Sequence, residues 1–136
     1  MRMDHSSVRK ILVIKLRAVG DVLLSTIVTK NLRLAFPHAH IAYLTELASA
    51  DVLKNNPFVN DVLVFDRKQM NGFDLIRLVR KTMFDLVIDL FGNPRTALVT
   101  RLSGAPYRVG YKFFGRAYAY NIVVMPRGGE VHNTQF

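Results

Sequence analysis

The sequence predicts an α/β protein with a parallel, doubly wound sheet, and three observations lead there. Short apolar runs alternate with segments whose apolar residues recur at helical spacing. The connections between them are a few residues long. The apolar runs read as strands covered on both faces, which is the pattern of parallel sheets in βαβ proteins. Right-handed crossovers then put helices on both sides of the sheet.

Residues 1–10 are polar and charged, without the apolar core of a signal peptide, and read as a leader. Ile11 to Leu16 is the first strand. Arg17 to Gly20 is a turn, and Val22 to Phe36 has helical spacing until Pro37 ends it. Ile41 to Leu44 is a second strand, and Glu46 to Asn55 a short helix stopped by Asn56-Pro57. Val59 to Phe65 is a third strand. Phe73 to Met83 is amphipathic, with Arg77, Arg80 and Lys81 on its wet side. Leu86 to Leu90 is a fourth strand, Asn93 to Ser103 a helix, and Arg108 to Tyr111 a fifth strand. Ile122 to Met125 reads as a sixth. The segment from His132 to Phe136 reads as the beginning of a helix, so the sequence is expected to be a piece of a longer protein. Residues 11–136 form one domain in this reading.

The 136 residues suffice for one domain with a core, and 50% hydrophobic content argues against disorder. There is no cysteine, which excludes disulfides and thiolate-bound zinc and makes a cytosolic setting the default. No apolar run approaches the ~18 residues that span a bilayer. Nineteen Lys and Arg against ten Asp and Glu give a formal charge of +9. That surplus attracts phosphates, whether on nucleic acid, anionic lipid or small molecules.

The strand ends hold the candidates for chemistry, because open α/β sheets bind ligands outside the carboxyl ends of their strands. Asp21 follows Gly20 directly after the first strand. It is either a carboxylate favoured by the helix macrodipole or a general base. Asp89 and Gly92 mark the end of the fourth strand. They either shape a loop and cap a helix or line a site. Arg95 follows that same strand end, and Arg67 and Lys68 follow the third strand. All three are candidates for phosphate or acidic-sugar binding. One glycine at the first turn is not a dinucleotide fingerprint, and there is no Walker lysine. His5, His38, His40 and His132 lack metal-ligand spacing, so no metal site and no cofactor is expected.

Five segments in order resemble one family. They are Ile14-Lys-Leu-Arg17-Ala-Val-Gly20-Asp21-Val-Leu-Leu-Ser25-Thr26, then Leu32-Arg-Leu-Ala-Phe-Pro37, then Asn56-Pro57. Phe84-Asp85-Leu-Val-Ile-Asp89-Leu-Phe-Gly92 and Arg101-Leu-Ser-Gly-Ala-Pro-Tyr-Arg108-Val-Gly110-Tyr111 complete the set. From about Val8 onward the chain is similar to glycosyltransferase family nine, the ADP-heptose:lipopolysaccharide heptosyltransferases. The resemblance implies the N-terminal, acceptor-binding half of a GT-B enzyme with two Rossmann-like halves. The C-terminal half would hold most of the ADP-heptose donor site, leaving this piece inactive alone.

It further implies inverting transfer without a metal, with Asp21 as general base. Arg17, Gly20, Ser25, Asp89, Gly92, Asn93, Arg95, Arg67 and Lys68 would bind substrate. The acceptor would be Kdo on lipid A, met at the cytoplasmic face of the inner membrane through peripheral contact with anionic lipid, and no nucleic acid would be involved. His132 falls where the family has a His opening a helix. Two positions depart from the pattern: Ile27 stands where a proline is usual, and Phe91 where a Gln is usual. The competing reading is a non-catalytic α/β module whose basic face holds a phosphorylated or nucleic-acid ligand. Such a module has no need of a carboxylate beside its anion site.

Overall fold

The computed structural model describes residues 5–17, 21–22, 25–111, 117–127 and 130–135. Its strands are β1 (Lys10–Ile14), β2 (His40–Glu46), β3 (Asp61–Phe65), β4 (Leu86–Asp89), β5 (Tyr107–Tyr111), β6 (Ile122–Arg127) and β7 (Glu130–Gln135). They form one sheet in the order β3-β2-β1-β4-β5-β6-β7. The first six run parallel. The α-helices are α1 (Thr26–Ala35), α2 (Leu47–Ala50), α3 (Gly72–Thr82) and α4 (Pro94–Leu102). This is the expected Rossmann-like arrangement.

β1 and β4 sit centrally, and their residues are buried on both faces. Leu12, Ile14, Ala42, Leu44 and Val87 face one layer, packed by Leu75 and Val79 of α3 and Val99 of α4. Ile11, Ile41, Leu86 and Ile88 face the other, against Phe36 and the half-buried Leu32 of α1. Burial on both faces explains why these strands read as continuous apolar runs rather than alternating ones.

α3 and α4 start where their sequences say they should. Asn71 accepts from the Asp74 amide (2.9 Å), while the Asp74 carboxylate accepts from the Asn71 amide (3.1 Å). Asn93 and Thr96 make the same reciprocal cap on α4. α3 ends at Met83, whose φ of 60° is the left-handed turn that stops a helix.

Several element ends shift: Glu46, expected to open a helix, closes β2; the helix expected as far as Asn55 is α2 followed by a 3-10 turn over Asp51–Leu53; and β3 begins at Asp61 rather than Val59. Two further differences lie at the ends of the chain. The segment read as a polar leader is partly structural. Val8 is buried, β1 begins at Lys10, and the amides of Arg9 and Lys10 donate to the Asp85 carboxylate. The segment around His132 is not the start of a helix. It is β7, paired antiparallel to β6 with Arg127 opposite Glu130. Two residues, Gly128-Gly129, separate that pair in sequence, the length and composition that favour a hairpin. Val131 and Thr134 are β-branched, which also suits a strand.

Candidate active site at the carboxyl edge of the sheet

The chain order around the sheet reverses between β1 and β4, since β1 leads to β2 on one side while β4 and β5 extend the other. Ile14 pairs with Asp89, so the β1–α1 connection and the β4–α4 connection leave the sheet together at its carboxyl edge. This is the topological switch point where doubly wound sheets open a ligand crevice.

The two aspartates at this edge do different work. Asp21 is exposed, in a helical turn whose carbonyl accepts from the Ser25 amide (3.0 Å). Asp89 is fully buried. One of its oxygens accepts from the amides of Phe91 (3.0 Å) and Gly92 (2.9 Å), and the other from the Tyr120 hydroxyl (2.7 Å). Gly92 has φ of 71°, the left-handed geometry that lets its amide turn back onto the carboxylate. Asp89 therefore builds the β4–α4 turn. Burial pushes its carboxyl above the usual range, against the opposing pull of hydrogen bonds from Tyr120, Gly92, Thr96 and Phe91.

That shift has a testable sign. An unfolded chain releases the Asp proton near pH ~4, whereas the folded chain holds it to higher pH. The contribution of Asp89 to folding is thus complete below that point and declines as pH rises through the folded value. Asn at this position keeps the acceptor for both amides and offers Tyr120 a donor. The melting temperature of the wild type is expected to fall relative to Asp89→Asn as pH is raised from ~4 toward neutrality. A difference between the two proteins that stays constant with pH would show that burial does not govern this carboxyl.

A cationic rim surrounds the crevice. Arg17 Nη1 lies 2.9 Å from one Glu46 oxygen, and Arg67 Nη2 lies 3.6 Å from the other. Arg17 also stacks on the Phe91 ring at 5.4 Å, and Lys15 Nζ sits the same distance from that ring. Arg95, in the first turn of α4, stacks on Phe65 at 5.2 Å. A cleft of about 580 Å³ lies between the ends of β2 and β3, lined by Glu46, Leu47, Ala48, Phe65, Asp66, Arg67 and Lys68. Arg17 and Arg67 thus share one carboxylate partner, Glu46, while Lys15 Nζ donates to the Leu90 carbonyl (3.4 Å), and cations dominate the edge that also carries the exposed Asp21. Surface ion pairs of this kind add little stability but hold side chains in place.

Among the residues expected to bind substrate, Arg17, Arg67, Lys68 and Arg95 reach this edge with exposed side chains. Gly20 lies outside the described residues. Ser25 is buried, donating to the Val22 carbonyl (2.6 Å) and making a short bond with the Tyr43 hydroxyl. Burial pushes that phenol up to about 12, although the Ser25 bond opposes the shift. Asn93 is engaged in its helix cap and Gly92 in the turn. Ser25, Asp89, Gly92 and Asn93 shape the frame from within.

Lys15, Glu46 and Tyr120 were missed in the sequence reading. Glu46 had a usable signal, as a carboxylate ending a parallel strand. Tyr120 had none, since its partner is 31 residues away. Among the described residues, no three His, Cys, Asp or Glu side chains group as a metal ion would need.

No protein-family model matches the chain. A curated relative, lipopolysaccharide heptosyltransferase 3 of Escherichia coli, is 28% identical over 112 residues, or 77% of this chain and 33% of that protein. The structure of a family 9 glycosyl transferase from Veillonella parvula DSM 2008 superposes with a TM-score of 0.70 at 31% identity, covering 81% of this chain and 33% of that one. Escherichia coli ADP-heptose LPS heptosyltransferase II gives 0.76 at 26% identity over 88% of this chain and 36% of that one. The chain spans about a third of the length of each of these relatives. It is similar in sequence and in fold to heptosyltransferases of glycosyltransferase family nine, and its fold is a Rossmann-like half of their GT-B architecture.

Proposed function

We propose that this chain is the acceptor-binding half of an inverting glycosyltransferase that moves heptose from ADP-heptose to the Kdo/heptose inner core of lipopolysaccharide. The observation that supports this most is the exposed Asp21, which follows β1 at the switch-point edge of the sheet, the same edge that carries Lys15, Arg17, Arg67 and Arg95. A site built only to hold anions gains nothing from an exposed carboxylate in that position.

In this reading the acceptor hydroxyl lies against Asp21. The carboxylate takes its proton as the oxygen attacks the anomeric carbon. The new glycosidic bond forms while the bond to the ADP oxygen breaks on the opposite face, so configuration inverts. ADP departs with the electron pair as an anion. The rim cations engage the acidic groups of the acceptor, with Arg17 and Arg67 held ready by Glu46. Most donor contacts would come from a second Rossmann-like half. No helix among the described residues is long and apolar enough to cross a membrane. Access to a lipid-borne acceptor would then be peripheral, from the cytoplasmic side.

The division of labour gives a direct test. The 136-residue chain is expected to bind a Kdo-bearing acceptor, with Arg17→Ala and Arg67→Ala each weakening binding about 10- to 150-fold, the range for a charge-assisted bond. It is expected to show no turnover of ADP-heptose by itself. Unchanged acceptor affinity in both variants would refute the rim assignment, and turnover by the isolated chain would refute the half-site assignment.

A further inference from the structure

We propose that the outer face of α3 and α4 is a docking surface for an anionic lipid bilayer. Phe73 is 75% exposed and Met83 74% exposed, at opposite ends of α3. At 1.5 Å rise per residue they stand ~15 Å apart along one helix, so both ends can enter an interface with the helix lying flat. Between them Arg77, Arg80 and Lys81 are all exposed on the same stripe as Phe73.

α4 lies alongside, and Arg80 Nη1 donates to the Leu102 carbonyl (3.3 Å), joining the two helices at one end. α4 adds exposed Leu98, Leu102 and Arg101 to the face. The single acid within the two helices, Asp74, has its carboxylate engaged in the helix cap. Asp85, beside Arg80 and Met83, has a carboxylate oxygen engaged by the amides of Arg9 and Lys10. Large apolar side chains set among cations describe an interfacial surface. Charge is what selects the occupant: a cationic face of this size fits anionic headgroups.

The contrast with α1 supports the choice. Its outer stripe also exposes large apolar residues, Ile27 and Leu34, but carries only Lys30 between them. The α1 stripe thus has comparable apolar exposure with a single cation. The proposal rests on this surface and not on the sugar-transfer reading, because vesicle binding and turnover are separate readouts.

The test is co-sedimentation of the 136-residue chain with phosphatidylethanolamine vesicles containing phosphatidylglycerol, compared with pure phosphatidylcholine vesicles. Each cation at an anionic surface is worth about fivefold in partitioning, so Arg77→Glu with Lys81→Glu is expected to weaken binding at least ~25-fold. Phe73→Ser with Met83→Ser is expected to weaken it as well, and raised salt to weaken the wild type. Lys30→Glu on α1 is expected to cost no more than a few fold. All these side chains are exposed, and coincident thermal unfolding curves establish that each variant folds. Equal binding to both vesicle types would overturn the proposal, as would patch variants that bind like the wild type or an α1 variant that fails as badly. So would a dimer in solution that Phe73→Ser with Met83→Ser dissolves, since the face would then belong to a second copy.

Discussion

Replacing Asp21 with alanine, in a protein that joins this chain to its donor half, is expected to lower heptose transfer about 10²- to 10⁴-fold, the range for a lost general base. Stability should change little. The side chain is exposed, so its removal opens no cavity. The folding contribution at stake among the described residues is that of a carboxylate in a first helical turn, about 0.3–1 kcal/mol. Asp21→Asn separates charge from shape, and it should fall as far as alanine does. Acceptor affinity should stay within a few fold, because the rim arginines remain. A loss confined to kcat identifies a group that acts on the reacting proton. Full transfer by either variant would remove Asp21 from the chemistry and leave the anion-binding reading of this edge.

Gly110→Ala is expected to cause the largest loss of stability, about 1–3 kcal/mol as an overpacking defect. Gly110 lies in β5 opposite Asp89, and a methyl group there would strike the ring of Tyr120. The absence of a side chain is what lets Tyr120 lie across the strand and reach the buried carboxylate with its hydroxyl (2.7 Å). Pushing the ring aside would also strip a donor from Asp89. The measurement is a double-mutant cycle by urea unfolding. Gly110→Ala should cost much less in a Tyr120→Ala background than in the wild type. Costs that simply add would mean the two residues are not coupled and the glycine is there for another reason.

These two positions illustrate how legibility divides. The strands and helices were readable because each is encoded locally, β1 and β4 by continuous apolar runs and α3 and α4 by asparagine caps. The end of the chain is ambiguous in sequence, because the helical look of His132 onward competes with the hairpin signal of Gly128-Gly129, and pairing with β6 decides for the strand. At the site, spacing found Asp21 and Asp89 as a pair of strand-end carboxylates but could not assign them different tasks. What separates them is burial, and burial depends on Tyr120 and β5 rather than on neighbouring residues. Likewise Phe91 was legible as a departure from the family pattern, while its position beneath Arg17 and Lys15 became visible only in three dimensions.

The pairing of β1 with β4 has a consequence for the order in which the molecule comes together. The two strands are neighbours in the sheet, yet their contacts join residues about 75 apart in the chain, as between Lys10 and Asp85. Closing so long a loop costs entropy before any contact repays it, and such non-local pairs form late. The local units, including β2 with β3 and the hairpin of β6 and β7, can form before that closure. The crevice between β1 and β4 is therefore expected to form after those local units.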